Sequence, residues 1–255
     1  MEDSKTCDYS DNVDNYRFIL PFRLCLVGEM SSGKSSFVLN LLKDFKRQTN
    51  IIYTKKQIDL YFCYSNQNKE YLQSIEHELR KTTFFRKFIP IHKISSRLMD
   101  VENYSNIGVH SLIILEDLQY FIRNLNKDTS SLFNNFLLES RHKDISLIYI
   151  MHTYPETNAS KSTTFDRNFF EQCSDIIFFR SLHNKKIMSF IGSRVFGDFY
   201  QDFKQIFKII EKIYNKLYSH TRTHIVVSSD FRKNLDNLNR IRFDIFEKQL
   251  CIRHC

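Results

Sequence analysis

A glycine-rich segment with the pattern G-x-x-x-x-G-K-S stands at residues 28–35, where the chain reads Gly-Glu-Met-Ser-Ser-Gly-Lys-Ser. The apolar run 23–27 before it predicts a buried strand, and the sequence 35–42 after it predicts a helix. A strand, a glycine loop and a helix N-terminus together form a phosphate cradle, because backbone N–H groups and the helix dipole point at the anion. The segment therefore predicts a binding site for a nucleoside triphosphate.

Each residue type in this loop has a physical task. Gly28 and Gly33 permit backbone angles and a close approach that a Cβ would prevent. We expect the Lys34 ammonium to reach the β- and γ-phosphate oxygens, and the Ser35 hydroxyl to bind Mg²⁺. The residues predicted to contact the nucleotide form one continuous stretch: Gly28, Glu29, Met30, Ser31, Ser32, Gly33, Lys34, Ser35 and Ser36.

Two acidic residues, Glu116 and Asp117, follow the apolar run 112–115. A phosphate loop needs a carboxylate at the tip of a neighbouring strand to hold a magnesium ion. Glu116 is the candidate for that ligand, together with Ser35, and Asp117 is the candidate for polarising the attacking water. Without the phosphate loop, the same sequence would be typical of a strand that runs into an acidic turn.

The spacing of the two motifs narrows the class of protein. The segment between Lys34 and Asp117 has room for two βα units of about 30 residues each. That is the layout of ATPases with an extra strand between the motifs and a catalytic carboxylate. GTPases are disfavoured, because the chain has no Asn-Lys-x-Asp sequence and no Asp three residues before a Gly. A small-molecule kinase stays an alternative, although the loop 153–165 lacks the arginines of the usual kinase lid.

Apolar strand candidates alternate with helix candidates along much of the chain. This alternation predicts an α/β fold with a central, mostly parallel sheet that helices cover on both faces. Residues 223–228 add a last strand, either at an edge or as a return into the same sheet. Beyond the phosphate loop, the predicted strands lie at 58–64, 110–117, 145–152 and 175–180, a short extended piece lies at 88–91, and helices lie at 69–81, 130–140, 166–172 and 198–218.

Charge is unevenly distributed along the chain. Residues 1–20 hold five acidic and two basic residues, a balance of −3, so the remaining residues carry +11 within a total of +8. We predict a disordered acidic leader at 1–20, one ATPase domain at 21–247 and a short tail at 248–255. The basic body indicates a polyanionic partner. The lysines of the helix predicted at 198–218 would face either solvent or DNA phosphates.

Cysteine usage and hydropathy indicate an intracellular protein. The six cysteines form no C-x-x-C pair, and Cys25 and Cys63 fall in apolar strands as buried free thiols, which fits a reducing compartment. The tail residues Cys251, His254 and Cys255 are too few for a tetrahedral metal site. The acidic start does not resemble a signal peptide, and no apolar run approaches about 18 residues. We therefore expect no membrane contact.

Several segments, in the same order, resemble the genome-packaging ATPases of the FtsK–HerA superfamily, as in poxviruses and Maverick/Polinton-type (adintovirus-like) elements. The resemblance spans roughly 20–247, and its most informative part is the basic segment that enters a sensor strand. The segments that carry it are 22–42, 61–65 with Gln67, 133–149, Asn168 with 173–179, 225–230 and 238–242.

The resemblance implies a RecA/FtsK-like fold and an ATP-driven translocase of double-stranded DNA that packages a viral genome into a capsid. It implies ATP and Mg²⁺ as cofactors, sequence-independent contact with DNA phosphates, a homo-oligomeric ring such as a hexamer, and capsid or portal partners. The protein would act in the host nucleus or cytoplasm and in the virion. Two alternatives stay open, namely a nucleotide-binding switch or assembly protein with weak hydrolysis, and a helicase-like DNA ATPase.

The sequence departs from the family pattern in three places, namely at Glu116, at His152-Thr153 and in the basic segment around Arg141. Glu116 stands where Asp is usual, and its side chain is one methylene longer. His152 and Thr153 stand where Gln and Asn are usual. His152 either hydrogen-bonds the γ-phosphate or the lytic water, or it is a strand-end residue that faces solvent. Arg141, in the altered basic segment, is the first candidate for an arginine that reaches a neighbouring subunit's γ-phosphate, and Arg167 is the second.

Overall fold

Nine strands and five helices are present in the part of the chain that the computed structural model describes, namely residues 17–50, 57–64, 69–92, 107, 110–119, 127–140, 142–152, 164–179, 224–229, 241–243 and 250–251. The strands are β1 (Arg23–Gly28), β2 (Ile58–Tyr64), β3 (Phe85–His92), β4 (Ser111–Glu116), β5 (Ser146–Met151), β6 (Asp175–Phe179), β7 (His224–Ser228), β8 (Ile241–Phe243) and β9 (Leu250–Cys251). The helices are α1 (Lys34–Lys43), α2 (Phe45–Gln48), α3 (Lys69–Arg80), α4 (Lys127–Ser140) and α5 (Thr164–Glu171).

All nine strands belong to one sheet, in the order β3-β2-β4-β5-β1-β6-β7-β8-β9. Neighbouring strands from β3 through β6 pair in parallel, whereas β7, β8 and β9 add an antiparallel end. The predicted α/β fold with a mostly parallel central sheet is therefore confirmed. The extra strand is confirmed as well, because β5 lies between the phosphate-loop strand β1 and the acidic strand β4.

Helices cover both faces of the centre of the sheet. Every residue of β1 and β5 is buried, as expected for parallel strands with no solvent-facing side. On one face, Leu24 and Leu26 pack in the same core as Phe37 of α1. On the other face, the Tyr149 ring contacts Phe169 of α5 edge-on, with ring centroids 5.2 Å apart. At β1 and β5, therefore, only the strand ends face the surroundings.

Residues 17–20, which the charge balance assigned to the acidic leader, belong to the folded domain. Phe18 is fully buried, and its ring contacts Phe22 edge-on at 6.0 Å. Its backbone N–H donates to the Gln48 carbonyl oxygen over 2.8 Å. The boundary predicted at residue 20 is corrected accordingly, because counting charges gave no weight to the apolar residues that follow the acidic ones.

Two further elements differ from their predicted form. Strand β3 is longer than the extended piece predicted at 88–91, because Phe85 is buried and packs on Phe45 with ring centroids 5.1 Å apart. Strand β7 lies between β6 and β8, so it returns into the sheet and is not an edge. The helix predicted at 198–218 lies outside the described residues. Within those residues, no helix is long and apolar enough to cross a membrane.

A buried arginine ties two helices to the start of β1. Arg23 is only 2% exposed. Its guanidinium donates to the Leu137 carbonyl and to Ser140 Oγ, the latter over 2.9 Å, and also to Gln172 Oε1. The last carbonyls of a helix lack partners within the helix, and a cation suits the negative end of its dipole. Arg23 therefore fixes the end of α4 and the segment after α5 against the sheet.

Replacing Arg23 by leucine should lower the free energy of unfolding by about 2–4 kcal/mol, because several buried acceptors lose their charged donor. Urea denaturation followed by circular dichroism measures the change. Arg80→Ala is the control, since Arg80 pairs with Glu76 on the exposed surface of α3, and it should leave stability nearly unchanged. A loss as small as the control's would mean that apolar packing alone holds the two helices.

Candidate active site

The phosphate loop connects the end of β1 with the start of α1, and glycine is required at both of its ends. A Cβ on Gly28 would lie 2.7 Å from Phe179 Cβ and 2.8 Å from both the Phe179 carbonyl oxygen and Ser32 Oγ, so no larger residue fits. Gly33 has a φ of 104° and caps α1 in the left-handed conformation. Ser31 also has a positive φ, of 60°. The local sequence thus folds as the motif predicted.

The side chains of the predicted contact stretch differ in their surroundings. Glu29, Met30, Ser31 and Ser36 are exposed. The Ser32 hydroxyl, in contrast, is buried, and no group among the described residues hydrogen-bonds it. A buried polar group without a partner is costly. The lone Ser32 hydroxyl and the glycine backbone around it therefore fit the oxygens of a phosphate group.

Lys34 is the buried cation of the site, with 5% of its surface exposed. Its ammonium donates to the carbonyl oxygens of Gly28 and Glu29, over 2.6 Å in each case, and lies 3.4 Å from His152 Nδ1. Burial lowers the pKa of Lys34, and nearby carboxylates, above all Asp117, act in the opposite direction. The ammonium of Lys34 thus binds two carbonyl oxygens of the loop, and phosphate oxygens can take the place of these acceptors.

The two predicted magnesium ligands are in direct contact, since the Ser35 hydroxyl donates to Glu116 Oε1 over 2.9 Å. A hydroxyl and a carboxylate are oxygen ligands of the kind Mg²⁺ prefers, and phosphate oxygens and water complete its usual shell. These residues therefore fit a magnesium ion. Among the described residues, no group of three or more His, Cys, Asp or Glu could hold a metal by itself.

Glu116 is the carboxyl group with the most perturbed ionisation in the described site. Burial raises the pKa of Glu116 to about 7, although the hydrogen bond from Ser35 lowers it in part. The negative charge of Asp117 adds to the increase, while His152 and Lys34 oppose it. A divalent cation bound at this position would stabilise the ionised form and displace the proton.

Asp117 and His152 form a second contact within the site, and this one joins the ends of two neighbouring strands. Asp117 Oδ1 lies 2.5 Å from His152 Nε2. The two residues follow the ends of β4 and β5, which are adjacent and parallel. Asp117 has a φ of 54°, so a left-handed turn directs its carboxylate toward the next strand. The structure thus places His152 within the site and not at a separate solvent-facing position.

Two residues that the motifs did not indicate also contact the site. The Tyr71 hydroxyl donates to the Ser35 carbonyl oxygen over 3.0 Å, its ring contacts Phe62 edge-on at 5.8 Å, and burial raises the pKa of Tyr71. Gln119 is 7% exposed and accepts the His152 backbone N–H over 2.8 Å. The sequence signals for these two residues were weak: Tyr71 is one hydroxyl on the apolar face of α3, and Gln119 is one amide after the acidic pair.

The remaining predicted residues of the site and tail fall mostly outside the part of the chain that the structure describes. Arg141 lies outside the described residues, and the side chain of Arg167 in α5 is not among the described ones. His254 and Cys255 of the tail also lie outside them. Cys25 and Cys63 are buried free thiols, as predicted. Burial raises the pKa of Cys63 to about 12, which disfavours the reactive thiolate form.

Comparison with known proteins does not assign this chain to a family. No protein-family model matches the sequence, and no curated protein does. The structure aligns with that of EssC (ATPases 2 and 3) from Geobacillus thermodenitrificans, at 13% identity and a TM-score of 0.38. The alignment covers 66% of this chain and 32% of that one, so this chain spans about a third of that structure. The chain's own topology is that of an α/β fold with a phosphate loop after β1 and an extra strand between the phosphate-loop strand and the acidic strand.

The raised pKa of Glu116 should make the stability of the nucleotide-free protein depend on pH. The folded protein binds this proton more tightly than the unfolded chain, so stability should fall as the pH rises from the ordinary pKa of 4.5 through about 7. Glu116→Gln cannot ionise and should lack this part of the fall. By pH 8.5 the variant should be more stable than the wild type by about 1–3 kcal/mol.

Urea denaturation of both proteins across this pH range, without Mg²⁺ and nucleotide, measures the difference. Glu139→Gln, at an exposed position of α4, is the matched control and should retain the wild-type profile. Parallel pH profiles for Glu116→Gln and the wild type would show that the buried carboxyl group ionises without a cost in stability.

Proposed function

We propose that this chain is a magnesium-dependent ATPase that uses ATP hydrolysis to move along double-stranded DNA. The observation that carries the ATPase part is the meeting of Ser35 and Glu116 at 2.9 Å, beside the buried ammonium of Lys34. A phosphate loop, a metal-ligand pair and a further acidic residue at one edge of a parallel sheet are the parts that triphosphate hydrolysis requires. ATP is favoured over GTP because the chain lacks the Asn-Lys-x-Asp sequence.

Each of these groups has a defined task with ATP bound. The backbone N–H groups of 29–33 and the Ser32 hydroxyl surround phosphate oxygens, and Lys34 exchanges its two loop carbonyls for the terminal phosphates. Ser35 and Glu116 would hold the metal ion, which neutralises charge on the transferred phosphoryl group when bound. Asp117 and His152 lie where the attacking water must be oriented.

Replacing Lys34 by alanine should lower kcat for ATP hydrolysis by about 10²–10³-fold or more, because the transition state loses a fixed positive charge. Steady-state phosphate release measures the rate. Lys43→Ala is the matched control, since Lys43 is an exposed residue in the last turn of the same helix, and it should keep wild-type turnover. Unchanged turnover in Lys34→Ala would place hydrolysis at another site.

Charge and the sequence resemblance support DNA as the partner. The chain beyond residue 20 carries +11, which suits a polyanion, and the order of segments resembles viral genome-packaging ATPases. On this proposal, subunits assemble into a ring, Arg141 reaches the neighbouring subunit's γ-phosphate, and the motor drives a viral genome into a capsid. Contact with DNA would be made to phosphates and would not depend on sequence.

Added duplex DNA should raise the ATPase rate, and the increase should disappear steeply as the salt concentration rises, because phosphate contacts release counterions. The measurement is phosphate release with and without duplexes of two unrelated sequences, across a salt series, with protein mass determined in the presence of ATP. Equal stimulation by both sequences is expected. A rate indifferent to DNA at low salt would contradict the translocase while leaving the ATPase intact.

A nucleotide-dependent switch is the second candidate, and Glu116 favours it. This residue is longer than the usual aspartate, and its pKa of about 7 leaves part of the population protonated at neutral pH. In a switch, both properties would weaken metal binding and slow the chemical step. Single-turnover kinetics separate the two functions, since a switch hydrolyses one ATP and stays in the product state, whereas a motor cycles continuously on DNA.

A further inference from the structure

We propose that Asp117 and His152 act as a catalytic dyad in which His152 Nδ1 takes the proton of the attacking water and Asp117 orients the imidazole. This inference rests on the proposed ATPase function and changes the roles within it. The common arrangement would have the acidic residue face the water directly. Here the acidic residue is already engaged by a neighbouring histidine, and the histidine presents its second nitrogen to the phosphate side of the site.

Two contacts define the state of the imidazole. Asp117 Oδ1 lies 2.5 Å from His152 Nε2, and because a carboxylate only accepts, Nε2 must carry a hydrogen. On the opposite side of the ring, Nδ1 lies 3.4 Å from the Lys34 ammonium, which only donates. The two contacts together select the tautomer that has its hydrogen on Nε2 and its lone pair on Nδ1. A lone pair at this nitrogen is what a proton acceptor requires.

The backbone holds this arrangement from both sides. The left-handed conformation of Asp117, with φ of 54°, turns its carboxylate toward His152. The His152 backbone N–H is fixed by Gln119 Oε1 at 2.8 Å. The adjacent strands β4 and β5 are paired in register up to Glu116 and Ile150. The dyad therefore does not depend on the chance orientation of two exposed side chains.

Nucleotide binding completes the dyad, because Lys34 is shared between His152 and the phosphates. In the structure, the Lys34 ammonium lies beside His152 Nδ1 and donates to the Gly28 and Glu29 carbonyl oxygens. Terminal phosphate oxygens attract the ammonium more strongly than neutral carbonyls do. Once Lys34 turns to them, Nδ1 is free to accept a hydrogen bond from a water molecule beside the γ-phosphate. The base is thus exposed only when its substrate is in place.

Hydrolysis of ATP by this dyad requires only ATP and one water molecule. The oxygen of water bonds to the γ-phosphorus, its proton passes to His152 Nδ1, and the bond from the γ-phosphorus to the β–γ bridging oxygen breaks. ADP leaves with the electron pair of that bond. The Asp117 carboxylate stabilises the imidazolium that forms. The His152 side chain is 34% exposed, so it can return the proton to solvent after phosphate leaves.

A double-mutant cycle tests the dyad with Asp117→Asn, His152→Gln and the double variant. Each single change should lower kcat by about 10²–10⁴-fold, and the double variant should lose no more than the worse single variant, because the two groups act as one unit. Binding of Mg-ATP, measured by calorimetry, should stay within a few-fold of wild type in all three. His77→Gln, the same change at an exposed position of α3, is the matched control and should keep full turnover.

Chemical rescue provides a readout that a purely structural role would not give. Imidazole added to His152→Gly should restore turnover in proportion to its concentration, whereas Asp117→Asn should gain nothing. Multiplicative losses in the cycle together with no rescue would overturn the dyad and return the base to Asp117. Should the glycine variant fail to bind Mg-ATP, rescue of His152→Ala decides in its place. A wild type that binds Mg-ATP without hydrolysing it would instead overturn the proposed ATPase, and this inference with it.

Discussion

One buried ammonium at the carboxyl edge of the sheet organises the site. Lys34 is held by carbonyl oxygens of the loop that precedes it, and carboxylates on β4, its following turn and the loop lie close enough to affect its ionisation. A charge removed from water must be paired in this way. Because β1 is paired on both sides, with β5 and β6, the loop and its lysine have a fixed position relative to the ends of the neighbouring strands.

Much of the fold was predictable because buried parallel strands leave a simple trace in sequence. The strands β1, β4, β5 and β6 are continuous apolar runs, and the observed bounds differ from the predicted ones by about one residue at an end. Tertiary contacts that have no local signal were missed. Phe18 is buried by aromatic partners from other elements, and β3 begins at Phe85 because that ring packs on Phe45. The place of β7 inside the sheet depends on pairing with β8, which no periodicity encodes.

The same distinction between local signals and tertiary contacts applies to the residues of the site. The positions of Lys34 and Ser35 in the loop were predictable, because the two glycines of the motif specify the loop's backbone geometry. The contact of Ser35 with Glu116 followed from the expectation that strand tips share an edge. The partners of His152 could not be predicted, because they depend on the register of β4 with β5 and on a left-handed turn at Asp117. Tyr71 reaches the site only because α3 packs beside α1, which the sequence of α3 alone does not show.

The close fit of Gly28 against Phe179 has a mechanical consequence. Phe179 is the last residue of β6, and its ring packs on Phe37 at 5.7 Å and on His224 at 5.6 Å. Gly28 leaves no room for even a Cβ beside Phe179, so any movement of Gly28 toward β6 would displace Phe179 and, through the contact with His224, act on β7. Dense packing transmits such strain instead of absorbing it. A few aromatic rings therefore couple the position of the phosphate loop to that of the antiparallel end of the sheet.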